Sequence, residues 1–159
     1  MISFAYLKKL SDNELTQTLS TAVQNETKAS LFVLHVLAEF ENRRLYSKNA
    51  SSLHHYCTKV LKFSGGAAQR RIDSMRAMKL IPEIEVKLNS GELNLTSVSQ
   101  AQSLFRHEAK AGKSYSIEQK KEVLQKLENK STRECEREIA IISPSAIPQE
   151  KRQIGRAHV

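Results

Sequence analysis

The sequence predicts an all-α fold, with one compact multi-helix domain over residues 1–142 and an extended tail over 143–159. Glycine (5) and proline (3) are too scarce in 159 residues for a turn-rich sandwich or barrel. Apolar residues recur every three to four positions along most of the chain, which is typical of helices with one buried face. Serines precede several of these segments, as expected of helix N-caps. Apolar residues make up 40% and charged residues 26%, which indicates a globular domain rather than a disordered chain.

The first predicted helix begins at a capping box. Ser11 and Glu14 have the spacing at which the side chain of each residue accepts a hydrogen bond from the backbone amide of the other. Leu15, Leu19 and Val23 follow at helical spacing, which predicts a helix through these residues.

A separate second helix is predicted to start at Asn25 or Thr27 and to continue to Tyr46. Its segment 31–40 is apolar nearly all round, which predicts the central helix of the core. On this interpretation His35 is a buried, hydrogen-bonded histidine rather than a base or a ligand. No heptad pattern appears long enough to predict a coiled coil.

Six further helices are predicted, each bounded by a cap or a breaker. They cover 53–61 after Ser51 or Ser52, 65–80 after Ser64, 82–89 from Pro82 to Gly91, a segment from Thr96 to Gly112, 117–127 after Ser116 and 132–142 after Ser131. From Ser143 onward, two prolines predict an extended linker.

Positive charge is concentrated in one part of the chain. The net charge is +8 and the isoelectric point is about 9.6. Residues 51–80 hold six basic side chains and one acidic side chain, a net +5. A local excess of this kind favours phosphate binding, because each neutralised phosphate releases condensed counterions. The alternative is a solvated helix face near acidic neighbours from elsewhere in the fold.

The two helices on either side of this charge are joined by only Lys62-Phe63-Ser64, which predicts a helix-turn-helix-like pair. The glycine often found in such turns is absent. On the second helix, helical spacing directs Ala68, Ile72 and Met75 inward and directs Gln69, Arg70 and Asp73 outward, with Arg71 beside the apolar face.

The pair supplies the candidate DNA contacts. Gln69 and Arg70 can hydrogen-bond base edges, since glutamine pairs with adenine and arginine with guanine. Ser64 and the free amides of the helix start can hold a phosphate. The remaining candidates are predicted to contact the backbone without specifying sequence, and they are Lys59, Lys62, Arg76 and Lys79. The alternative is a helical hairpin that has a structural role only and does not contact DNA.

Motifs for catalysis, metal binding and cofactor binding are absent from the sequence. It contains no Cys-x-x-Cys pair, no Gly-rich phosphate loop and no His-Glu-x-x-His. Cys57 and Cys135 are far apart, which fits a reducing cytoplasm, and both are predicted to fill the core. We therefore expect no catalytic residue, no metal ligand, no cofactor, no small-molecule substrate and no membrane association in this chain.

Several segments resemble the helical N-terminal region of bacterial HNH endonucleases. The resemblance covers roughly residues 5–150, is strongest over 38–72, and rests on AEFENRRLY at 38–46, SSLHHYC at 51–57, VLKFS at 60–64, AAQRRI at 67–72, GELNLT at 91–96 and RECEREI at 133–139. In that family a nuclease domain follows, in which a Cys-x-x-Cys-supported His/Asn/His motif binds a divalent metal and cuts DNA. This chain contains no such domain, so no catalytic residue of the family can be assigned to it.

The last six residues, Ile154 to Val159, look like the translation of a short-read sequencing adapter. The corresponding hypothesis is that the gene fragment ended near the codon of Arg152 and that the reading frame continued into adapter sequence. Residues 154–159 are then an artefact, and the tail from 143 is predicted to be disordered.

Together these patterns predict a cytoplasmic DNA-binding region from a truncated HNH-type endonuclease. One alternative is a stand-alone helix-turn-helix regulator, which needs a dimer to read a palindromic site. Another is a helical protein-interaction module whose basic patch meets an acidic partner. The oligomeric state and the DNA site stay open.

Overall fold

The computed structural model describes residues 3–146, and this part of the chain is all-α, as predicted, with no strand. No helix within these residues combines the length and the apolar character that crossing a membrane requires. Two short 3-10 helices cover Leu45–Lys48 and Pro144–Ala146. The α-helices are α1 (Phe4–Leu7), α2 (Asp12–Asn42), α3 (Leu53–Lys59), α4 (Gly65–Leu80), α5 (Glu83–Ser90), α6 (Leu95–Lys110), α7 (Ile117–Leu127) and α8 (Thr132–Ile142).

Helix α2 is one continuous helix, and the predicted division near Asn25 is wrong. The Ser11 capping box is present, with Glu14 accepting from the Ser11 amide at 2.8 Å. No glycine or proline interrupts the next 31 residues, and the weak helix formers Asn25 and Thr27 do not stop it. The helix ends at Asn42 rather than Tyr46, because Arg44 has a left-handed φ of 51°.

Helix α2 is also not the centre of the core. Only Leu31, Leu34 and Leu37 are buried on it, whereas Phe32 is 68% exposed. His35, predicted to be buried, is exposed and lies 2.8 Å from a carboxylate oxygen of Glu85. The helix packs along one side only, against α4 and α5, so its apolar residues on the other side stay in solvent.

The central helix is α4, which packs against α2, α3, α5 and α6. Ala68, Ile72 and Met75 are buried as predicted. Asp73 was expected to point outward, but it is only 1% exposed. The prediction failed because this face of α4 carries polar residues, which is typical of a solvent-exposed face, whereas α6 packs over it.

Most predicted helix starts are confirmed by side-chain caps. The serines at 52, 64, 116 and 131 each accept a hydrogen bond from a first-turn amide. For α6 the cap is Asn94 rather than Thr96, since Asn94 and Ser97 form a reciprocal box. Helix α3 ends at Lys59 rather than Leu61.

Ser143 has extended backbone angles, as predicted, but the three residues after it do not continue as an extended segment. Ser143 is buried and its hydroxyl donates to Glu108 of α6, and Pro144–Ala146 form a 3-10 turn packed on α6 and α8. The predicted tail beyond this point, including residues 154–159, lies outside the described residues.

Candidate nucleic-acid interface

The joint between α3 and α4 is a compact turn of residues 60–64. Lys62 takes the left-handed φ of 63° that a glycine usually supplies in such a turn. The amide of Phe63 donates to the carbonyl of Cys57 at 3.0 Å. The Arg71 guanidinium lies 4.5 Å from the centre of the Phe63 ring, as a cation–π contact. The missing glycine therefore does not prevent the turn, and Phe63 and Arg71 fix it against α4.

The start of α4 exposes free backbone donors. Ser64 is the N-cap, and its hydroxyl accepts from the amide of Ala67 at 3.2 Å. Gly65 and Gly66 are exposed, and their amides have no acceptor within residues 3–146. Free amides and the positive end of the helix dipole favour an anion at this position.

Three cations lie in the turn and on the two helix ends that it joins. Lys59 ends α3, and Lys62 lies in the turn. The side chain of Arg70 extends back toward the start of α4, since its NH1 atom would lie 3.2 Å from a Cβ atom placed on Gly66. In the described part of the chain, none of the three forms an ion pair. We call Lys59, Lys62, Ser64 and Arg70 the basic corner.

The structure separates Arg76 and Lys79 from the basic corner. Arg76 donates to Glu41 on α2 at 3.0 and 2.6 Å. Lys79 donates to Asn42 at 2.9 Å and lies 3.8 Å from Glu41. Two of the predicted phosphate contacts are therefore already paired with an acidic side chain of the same chain.

Gln69 is half-buried, and its side chain is held in a hydrogen-bond network instead of being free. Its amide donates to the buried Asp73 carboxylate at 2.9 Å. Ser99 and Arg106 on α6 donate to the same carboxylate at 2.7 and 2.6 Å. The spacing of Gln69 and Asp73, four residues apart, could have predicted this bond. The two α6 partners had no signal in the sequence.

A groove of about 410 Å³ opens beside Arg70, between α4, α6 and α8. Its α6 wall carries Ser99, Gln100 and Ser103, and the Oε1 atom of Gln100 is buried without a donor within residues 3–146. Glu136 lies in the lining from α8. This carboxylate makes the groove less suited to a phosphate than the basic corner.

The cysteines offer no reactive thiol. Cys57 and Cys135 are buried and unpaired, and burial raises the pKa of both thiols. Among residues 3–146, no three His, Cys, Asp or Glu side chains are grouped so that they could hold a metal ion.

Comparisons with family models, with curated proteins and with solved structures give no match to this chain. The chemistry of the basic corner is therefore the main basis for a functional proposal.

Proposed function

We propose that this chain is a DNA-binding helical region of an HNH-type endonuclease and that the basic corner contacts the phosphate backbone. The observation that supports this most directly is that three cations without acidic partners lie on the turn and helix ends that also expose two free amides. The same corner lies in the segment that holds a net +5 of the chain's +8 charge.

The groups of the corner differ in how they bind phosphate. Lys59 and Lys62 act as exposed point charges, while the Arg70 guanidinium can bind two phosphate oxygens at once. The amides at the start of α4 add directional hydrogen bonds without charge. Contacts of this kind position a protein on DNA but carry little sequence information.

Base reading by α4 is restricted in this proposal. Because α4 packs on four helices and most of its residues from 72 to 78 are buried, its first two turns are the part that can best approach a groove. Arg70 is the candidate for a guanine contact, whereas Gln69 must first release Asp73 to reach an adenine.

The nuclease part of the proposal rests on the resemblance, whose strongest segment, 38–72, includes the basic corner. On this view the metal-binding His/Asn/His domain belongs to a longer parent protein. A cytoplasmic location is part of the proposal and fits the two free cysteines. Sequencing the source gene across codon 152 tests this part, since the frame should continue into paired cysteines and a His/Asn/His motif. A stop codon directly after codon 159 in the source gene would contradict it.

Binding itself is tested by fluorescence anisotropy of the full chain with a labelled DNA duplex over a series of KCl concentrations. Three phosphate contacts predict that log affinity falls against log salt with a slope of about −3. Absence of binding at low salt, or a slope near zero, would contradict the proposal.

A helical protein-interaction module is the second candidate. Exposed apolar side chains along α2, among them Leu15, Leu19 and Phe32, favour it. This candidate predicts only weak, sequence-independent attraction to DNA at low salt, so the same titration separates the two.

A further inference from the structure

The groove between α4, α6 and α8 adjoins the basic corner. Arg70 belongs to the corner and also lines the groove. Gly66, whose backbone amide is one of the two free donors at the start of α4, lines it as well. A phosphate held by Arg70 and these amides therefore lies at the edge of the groove, and the group attached to that phosphate can enter a space of about 410 Å³. This volume is in the range of pockets that hold small organic groups.

The lining of the groove combines an apolar part with a polar part. Leu104 and Ile139 are buried core residues that, with Ala146, supply the apolar part. Gln100 and Ser103 of α6 add an amide and a hydroxyl. A nucleobase has the same division, with apolar faces and polar edges. Proteins that bind an unstacked base pack its faces against apolar side chains and hydrogen-bond its edges.

Two side chains of the groove are hydrogen-bond acceptors that are not satisfied within residues 3–146. The Glu136 carboxylate forms no ion pair there. The Oε1 atom of Gln100 is buried without a donor, which costs free energy until a donor reaches it. The groove therefore favours a ligand whose polar edge consists mainly of donors.

We propose that this groove binds an unpaired guanine of a DNA strand whose phosphate is bound at the basic corner; this inference rests on the proposed function. The Watson–Crick edge of guanine presents two adjacent donors, the N1–H group and the N2 amino group, and both can donate to the carboxylate of Glu136. Adenine and cytosine place a ring acceptor beside their amino group. Thymine places its single donor between two carbonyl oxygens. Each of these three bases therefore brings an acceptor against the carboxylate, which is repulsive.

A base inside an intact duplex cannot use the groove in this way. Its Watson–Crick edge is already paired and its faces are stacked, so it must first leave the stack. The ligand class is therefore DNA with an unpaired guanine, in a single strand or a bulge. A fully paired duplex binds through the basic corner alone.

Fluorescence anisotropy of the full chain tests this with labelled duplexes at one KCl concentration. The first duplex is fully paired, the second carries one bulged guanine, and the third carries one bulged thymine at the same position. We expect the guanine bulge to bind more tightly than the thymine bulge by about fivefold or more, the discrimination that a two-bond contact to a base provides. Equal affinities for the two bulges would overturn the inference, and the proposed function would stand if the paired duplex binds. If none of the three duplexes binds, both fail.

Glu136→Gln tests the assigned carboxylate. The glutamine amide offers a donor and an acceptor in place of two acceptors, so the ratio of guanine-bulge to thymine-bulge affinity should fall to near one. The loss of a negative charge raises both affinities alike and leaves the ratio unaffected. Glu118→Gln is the matched control, because Glu118 is exposed on α7 and forms no ion pair within the described residues. It should keep the ratio of the wild type. A ratio that Glu136→Gln does not change would overturn the inference.

Discussion

Arg76 of α4 donates two hydrogen bonds to one carboxylate oxygen of Glu41 on α2, at 3.0 and 2.6 Å. Glu41 also lies 3.8 Å from the ammonium of Lys79. One acidic side chain therefore offsets both cations in the second half of α4. Apart from Arg71, whose guanidinium lies over the Phe63 ring, the unpaired positive charge of the α3–α4 pair is left at the basic corner.

Replacing Glu41 should strengthen DNA binding. Glu41→Gln removes a negative charge and releases Arg76 and Lys79, so we expect higher affinity and a salt slope steeper by up to about two. Arg76→Ala alone should change affinity little, because that guanidinium is already paired. Anisotropy titrations in KCl measure both effects.

The matched control is Glu39→Gln, which removes the same charge from α2 but releases only Arg43, bound at 2.6 Å. Equal gains for the two glutamine variants would mean that net charge, and not the release of α4, sets the affinity.

Lys62 allows charge and backbone strain to be separated. A lysine at a φ of 63° costs about 1 kcal/mol relative to glycine. Lys62→Gly should therefore raise the free energy of unfolding by about that amount, whereas Lys62→Ala keeps the strain. Both variants lose the charge, so both should weaken DNA binding equally.

Urea denaturation and anisotropy together check this pair of variants. If Lys62→Gly and Lys62→Ala differ in affinity but not in stability, the left-handed turn is not the feature that distinguishes them.

The Asp73 network should contribute to stability. Asp73→Ala leaves Gln69, Ser99 and Arg106 without their shared acceptor, and we expect a loss of about 1–3 kcal/mol in the free energy of unfolding. Thermal unfolding followed by circular dichroism measures it. Glu136→Ala, at an exposed site on α8, should leave the melting temperature nearly unchanged. Equal melting temperatures for the two variants would contradict the role of the network.

The contact between α6 and the turn after α8 should depend on pH. The hydroxyl of Ser143 donates to Glu108 and lowers the pKa of that carboxyl below 4.5, and Lys113 lowers it further. A carboxyl whose pKa is lower in the folded state stabilises the fold above its unfolded pKa. This contribution should be lost as the pH falls from about 4.5 through the lower folded value.

An NMR titration of Glu108 measures this pKa directly. Ser143→Ala should raise it toward 4.5. A pKa that does not move in this variant would mean that the hydroxyl does not stabilise the carboxylate in solution.

Local signals in the sequence predicted helix starts well. Ser64 and Ser131 cap helices within three residues of themselves, so their role needs no knowledge of the fold. The outward or inward direction of charged residues was predicted less well. Asp73 and Arg76 acquire their partners from residues 33 and 35 positions away, which helical spacing alone cannot identify.

The part of the candidate site that depends on local sequence could be predicted in the same way as the helix starts. Lys59, Lys62, Ser64 and Arg70 lie in the turn and on the helix ends beside it, and a short turn is visible in the sequence. The pairing that removes other candidates from the site depends on how α2 and α6 pack on α4.

The most direct measurement of the central proposal compares two triple variants of equal charge. The first replaces Lys59, Lys62 and Arg70 with alanine. The second replaces three exposed lysines on other helices that form no ion pair within residues 3–146, Lys28, Lys110 and Lys126.

The salt dependence of DNA affinity is then measured for both variants and for the wild type. We predict that the first variant loses most of the slope of log affinity against log salt, about three units, and that the second keeps it. An equal loss in both variants, or an unchanged slope in the first, would contradict the assignment of DNA binding to the basic corner.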